Sequence, residues 1–353
     1  MRKIGSIAAA ALIAGAALTG CATKEDSGST AKGTDKPCVA PKGDVKVGLA
    51  YDVGGRGDQS FNDSAYRGLQ KAQKDLGVTG ETGEAADGEA ESAREERLRS
   101  MADNGMNPII GVGFAYSASV NEVSPDYPEV CFAVIDGFDP DEDPSGNVAY
   151  LGFAEQEGSY LAGVAAALKS KTGTIGFVGG VHTDLIKKFE AGYVAGAKSV
   201  KPNVKVVVKY IQETDLKGFG DPAGGKAAAA AAIDEGADVV YHAAGGSGAG
   251  VFEAVTEAKV WAIGVDSDQF LTAPKAQQKH ILTSMTKGVD VATFDMVKSV
   301  VDGEPLASYT TYDLKVGGVD VSTSGGFIND IKAQLDKARQ DIVSGKVKVP
   351  TAP

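Results

Sequence analysis

Residues 46–69 read KVGLAYDVGGRGDQSFNDSAYRGL. An apolar run, KVGLAY, ends at Asp52. A glycine cluster then turns the chain, Phe61 and Asn62 follow, and the spacing beyond them is helical. Strand, tight turn and helix in that order open a βαβ unit. The turn also presents a phenylalanine with Asp58 and Asp63 on either side of it. A ring left in water forfeits its burial energy, so Phe61 should have a partner at the mouth of the turn.

The same grammar repeats downstream. Apolar, β-branched segments recur at 107–113 (NPIIGVG), 130–136 (VCFAVID), 147–153 (NVAYLGF), 174–180 (TIGFVGG), 204–211 (VKVVVKYI), 237–245 (ADVVYHAAG), 260–266 (VWAIGVD) and 281–286 (ILTSMT). Between them lie amphipathic or alanine-rich stretches such as 64–76, 158–170, 188–200 and 224–236. Strands that are apolar throughout are buried on both faces, as in parallel sheets covered by helices. Nine or more are too many for one compact sheet here, and a break falls near residue 154. The reading is α/β: two doubly wound parallel-sheet lobes with a cleft between them. The acidic run 89–104 is read as a solvated helix face.

Ligands of open α/β sheets bind beyond the carboxyl ends of the strands. Taken in chain order, those positions hold Asp52, Asp58, Phe61 and Asn62; Asp136; His182, Asp184 and Phe189; Phe219 and Asp221; the glycine loop from Gly245 and Gly246; Asp266; and Lys287. Carboxylates accept hydrogen bonds from vicinal hydroxyls, and charged acceptors are about twice as strong as neutral ones. Aromatic rings stack on a flat heterocycle for about 1–3 kcal/mol per base. The set suits a neutral, hydroxyl-rich ligand with a flat ring. Singly, an aspartate after a strand also serves as a helix cap, and a lone phenylalanine as core.

The chain starts with a leader. Arg2 and Lys3 precede the apolar run 7–18, which ends in Leu18-Thr19-Gly20-Cys21. The run is too short for a good membrane span and reads as a secretory signal, residues 1–20. LTGC resembles the lipobox of bacterial lipoproteins, in which Cys21 would carry lipid. Residues 21–44 are polar and without hydrophobic period, a tether between membrane and body. The formal charge of −12 becomes −14 once Arg2 and Lys3 are removed, which disfavours nucleic acid or anionic lipid as a broad-surface partner. Cys38 and Cys131 remain, an even pair in an exported chain. A disulfide is one reading and two buried thiols the other.

The segments 48–69, 132–136, 147–168, 176–198, 236–251, 263–269 and 282–292 together resemble the basic membrane protein family. These are lipoprotein substrate-binding proteins of ABC importers, the purine nucleoside receptors among them. The similarity runs from about Val45 to Gly345. It implies a hinged, two-lobed body of the type I periplasmic-binding plan. The N-terminal lobe would take residues 45–153 plus about 288–310, and the C-terminal lobe 154–287 plus about 311–326. Residues 327–353 form a C-terminal helix and tail of unassigned lobe. The resemblance implies that Phe61 stacks on a base while Asn62 and Asp52 bind polar edges. Asp136 meets the base edge or a neighbouring polar group. Asp266 holds the ribose hydroxyls with Lys287 nearby, and Gly245 and Gly246 let backbone approach. Phe189 would be the opposite wall, with Phe219 as rival. Asp58 and His182 are further candidates, His182 standing where many relatives carry an apolar or acidic residue. The expected partners are a nucleoside, permease subunits and the membrane through Cys21, the protein acting as a monomer on the extracytoplasmic face.

Rival functions find less support. GGSGAG at 245–250 follows a strand and opens a helix, with Asp266 about twenty residues on, as in NAD-binding enzymes. The spacing is only partial, and nicotinamide cofactors are not expected outside the cell. A nucleoside hydrolase needs more packed aspartates than DVGGRGD offers. Three histidines lack zinc-ligand spacing, and no nucleophile–base pair is readable. No catalytic residue, metal or cofactor is expected. A sugar-binding protein of the same fold is the near alternative.

Overall fold

The computed structural model describes residues 38–86, 88–139 and 146–353. The leader, Cys21 and the tether up to residue 37 lie outside the described residues.

Twelve strands follow in chain order among the described residues: β1 Lys46–Ala50, β2 Thr79–Gly83, β3 Ile109–Val112, β4 Phe132–Ile135, β5 Val148–Phe153, β6 Thr174–Val181, β7 Lys205–Gln212, β8 Val239–Ala243, β9 Trp261–Asp266, β10 Ile281–Lys287, β11 Ser308–Tyr312 and β12 Val319–Val321. They build two six-stranded sheets, ordered β11-β5-β4-β3-β1-β2 and β12-β10-β9-β8-β6-β7. The two orders are the same pattern written twice, so β4 and β9 occupy equivalent places. Pairing is parallel throughout, except that β12 runs antiparallel to β10.

Three of these strands escape a reading based on apolar runs. β2 is TGETG, β11 is SYTTY and β12 is VDV. Each is an edge strand with one free side, so its burial is partial and its composition polar or its length minimal. The interior strands behave as expected: every residue of β3, β4 and β8 is buried.

The chain passes between the sheets after β5, after β10 and again between β11 and β12. Helix Val289–Val301, which follows the second passage, packs on helix Phe61–Leu76 beside the first sheet. The C-terminal helix Lys332–Val343 packs on helix Glu155–Lys169 and buries Leu335 and Ile342. Helices Glu155–Lys169 and Asp184–Val200 approach so closely that glycine is required at the contact. A Cβ on Gly163 would stand 2.1 Å from the Tyr193 carbonyl oxygen, and one on Gly196 1.9 Å from that of Tyr160.

Cys38 and Cys131 are joined by a disulfide. Cys131 directly precedes β4, so the bridge sits at the amino end of that sheet, opposite the ends that face the cleft. The acidic helix Glu91–Asp103 is not merely a solvated face. Arg94 is 7% exposed, and it lies between Glu89 and the Asp52 carboxylate, 3.6 and 4.0 Å away. Arg97 pairs with Glu89 and donates to the Tyr116 hydroxyl.

Candidate ligand-binding site

A cleft opens between the carboxyl ends of the two sheets, enclosing about 580 Å³ with its open mouth included. Asp52, Asp58, Phe61, Asn62, Asp136, Phe189, Phe219, Gly245, Gly246, Asp266 and Lys287 all line it. Residues more than two hundred apart in sequence meet here because they lie at the carboxyl ends of strands or in the loops and first turns of helix that follow.

Local chain geometry explains each placement. After β1 the backbone turns through Gly54, Gly55 and Gly57, all at positive φ. Asp58 then gathers the start of the helix: its carboxylate accepts from the backbone N–H groups of Ser60, Asn62 and Asp63. That cap swings Phe61 and Asn62 towards the cleft. Asp52 lies against Gly113, where a Cβ would come within 2.4 Å of Oδ2. Gly113 also sits at φ +110°, a conformation that only glycine adopts readily. Asp136 directly follows β4 and Asp266 ends β9, at equivalent places in the two sheets, with left-handed φ of 59° and 61°. Such strain in a non-glycine residue persists only where its surroundings hold it.

Lys287 is the hub. Its Nζ donates to Asp136 Oδ2 at 2.6 Å and stands 3.8 Å from Asp266 Oδ1. It lies 4.7 Å from the Phe61 ring centre and 5.5 Å from that of Phe189. Phe153, which does not line the cavity, is a third ring at 5.1 Å, so three rings surround one ammonium within cation–π range. Phe219 stands apart, edge-on to Phe114 at 6.4 Å; both line the cavity.

Burial sets the electrostatics. It works against the Lys287 ammonium, but Asp136, Asp266 and Glu155 outweigh it and hold the group above the ordinary lysine range. Burial lifts Asp266, only partly offset by Lys287 and the Ser60 hydroxyl. Asp52 is pushed up to about 6 by burial, against the Val53 N–H and Arg94. Asp58 also rises to about 6 by burial, despite its three backbone donors. Four lining carboxylates face one ammonium. Asp136 Oδ1 and Asn62 Oδ1 are buried with no hydrogen-bond partner among the described residues, so two acceptors stand ready for an incoming donor.

His182 does not join this set. It pairs with Glu213 at 3.1 Å and packs on Tyr210, away from the cavity lining. Its backbone N–H bonds to the Gln212 carbonyl, extending the β6–β7 pairing, and that leaves the ring on the outer side. Asp221 is a helix cap, accepting from Gly224 N–H at 2.8 Å, and Asp184 opens a helix and pairs with Lys187. Several contributors were not foreseen. Phe114 and Gly113 follow β3, and the strand-end rule applied to NPIIGVG would have found them. Glu155 is wholly buried near Lys287, and burial lifts its carboxyl above the usual range; nothing in its sequence context marks it.

Comparison with known proteins bears on this geometry. Residues 45–352 match the family model described as ABC transporter substrate-binding protein PnrA-like. The chain is 36% identical to a Lactococcus lactis protein named ABC transporter nucleoside-binding protein BmpA, over 99% of both chains. It is also 36% identical to an uncharacterized lipoprotein of Pyrococcus abyssi, over 83% of this chain and 72% of that one. Among solved structures, an ABC transporter solute-binding protein from Aeropyrum pernix superposes with a TM-score of 0.76 at 28% identity, covering 87% and 93% of the two chains.

Proposed function

Since the chain belongs to the PnrA-like family of ABC transporter substrate-binding proteins, we propose that it captures a purine nucleoside in the cleft, tied to the outer face of the membrane by lipid on Cys21. The family makes it a carrier rather than an enzyme, working with permease subunits.

One observation carries the ligand class: Phe61 and Phe189 converge on an ammonium within a cavity whose other charges are all carboxylates. Two rings suit the faces of a base. Asp266 and its neighbours suit ribose hydroxyls, and the acidic lining disfavours a phosphate. A nucleoside fits this chemistry better than a nucleotide or a bare sugar. Asn62 and Asp136 offer the unpartnered acceptors that a base edge would fill. Phe189 is the second wall on this reading, since it lines the cavity and lies near the same ammonium as Phe61, whereas Phe219 is already edge-on to Phe114. The relative named as nucleoside-binding supports the ligand class. The lipobox-like LTGC and the relative named as a lipoprotein support the anchor.

Titration calorimetry with adenosine, guanosine, inosine, uridine, ribose and adenosine monophosphate tests the ligand. Nucleosides are expected to bind, purines more tightly, with ribose and the monophosphate far weaker. Ribose binding as tightly as adenosine would overturn the base-stacking role and leave a sugar-binding protein.

A further inference from the structure

The amino end of helix Phe61–Leu76 belongs to the first lobe and the segment after β9 to the second, and a cluster of hydrogen bonds joins them. The Ser60 hydroxyl donates to Asp266 Oδ2 at 2.6 Å. The Ser267 hydroxyl donates back to the Ser60 carbonyl at 2.8 Å. Arg67 holds Ser267 Oγ at 2.8 Å, and the Gln269 side-chain amide donates to the Gln59 carbonyl at 3.3 Å. Ser60 is fully buried and Ser267 nearly so. Gln59 is drawn into the left-handed region, φ 52°, which a non-glycine residue adopts only when its surroundings demand it.

Two features give this cluster a role. Every bond in it crosses from one lobe to the other, so a rotation that opens the cleft must stretch or break it. Its central acceptor, Asp266, also lines the cavity, whereas Ser60 and Ser267 do not. The serines therefore reach the cavity only through the Asp266 carboxylate and through lobe closure, which the distance measurement below separates from affinity. We infer that Ser60 and Ser267 form an interlobe latch built on Asp266, so that ligand grip and lobe closure share one carboxylate. A ligand that orders Asp266 favours the Ser60 bond, and the closed latch in turn holds Asp266 for the ligand. That reciprocity is the linkage required of any coupled pair of equilibria. The bond to Ser60 is charge-assisted and shielded from water, the stronger kind, and its partners face each other only when the lobes are together.

The latch rests on the nucleoside reading only for its affinity readout, and the test separates the two. Nitroxide labels are placed through Thr82→Cys and Thr214→Cys, exposed positions beside the carboxyl ends of edge strands β2 and β7, with the native disulfide kept oxidised. Interlobe distances are measured by pulsed electron resonance in the parent, Ser60→Ala and Ser267→Ala, with and without adenosine. Adenosine release is followed by stopped flow. Ser60→Ala should shift the ligand-free distribution towards longer distances and speed release about tenfold. Ser267→Ala, which leaves the Ser60–Asp266 bond in place, should do the same by a smaller factor. Distance distributions unchanged in both variants would overturn the latch. If adenosine failed to bind the parent while the distances still shifted, the latch would stand and only the ligand would be wrong.

Discussion

Asp266 shows how much one side chain does here. It sits in a strained backbone conformation, buried, between the Ser60 hydroxyl and the Lys287 ammonium. Asp266→Ala removes a charged acceptor from a dry site and should weaken nucleoside binding by about 1.5–3 kcal/mol or more. Calorimetric affinity within twofold of the parent would remove Asp266 from the ligand's reach. Phe61→Ala and Phe189→Ala should each lose about 1–3 kcal/mol, and Phe219→Ala less; the reverse order would make Phe219 the second wall. His182→Ala should leave affinity within about twofold, because that ring faces Tyr210 and Glu213. Asp52 and Asp58, both raised to about 6, give the site a pH signature. For folding the sign is simple: a carboxyl whose folded pKa exceeds its unfolded value stabilises at low pH, and that contribution is lost as pH rises from about 4 through 6. For binding the sign reverses, since protonation removes the acceptor. Affinity should be flat above about pH 7 and fall below 6, and a flat profile from pH 5 to 8 would mean that neither carboxylate acts as an ionised acceptor. Most of these residues were legible one at a time, because the strand-end rule asks only where an apolar run stops. Glu155 and Arg94 were not, because burial of a charged side chain is decided by what packs on it from elsewhere.

Helices and strands were legible in proportion to their burial. Interior strands such as VVYHA read as continuous apolar runs, whereas TGETG, SYTTY and VDV do not, since an edge strand needs only backbone pairing on one side. Residues 89–104 read as a solvated helix from their charge, yet the structure turns Arg94 inward behind Asp52. Glycine carried information that the strand and helix patterns alone missed. The contact between helices Glu155–Lys169 and Asp184–Val200 depends on the bare backbone at Gly163, Gly192 and Gly196, each with another helix's carbonyl oxygen where a Cβ would stand. Gly196→Ala suits isolated helix propensity but forces the two helices apart. It should destabilise the fold by about 1–3 kcal/mol, read as a lower midpoint in urea unfolding. An unchanged midpoint would show that the pair can separate without loss.

For the whole molecule, the division of labour between the two ends of the sheets is the organising fact. Cavity-lining groups sit at carboxyl ends, and the Cys38–Cys131 bridge sits at an amino end and closes a span of 93 residues. Replacing both cysteines by serine should cost about 2–4 kcal/mol, lowering the melting temperature by roughly 5 °C or more, with nucleoside affinity unchanged. A matching loss of affinity would mean that the two ends are mechanically coupled. The α/β alternation, the two-lobed plan and the set of strand-end polar groups follow from residue order alone. They depend on local periodicity and on the rule that parallel strands deliver their loops to one side. The tertiary structure alone decided that Phe61 and Phe189 meet over one ammonium, that His182 faces outward, and that Ser60 reaches across to Asp266. Those outcomes depend on how the two sheets are set against each other, a relation between segments some two hundred residues apart that no local pattern encodes.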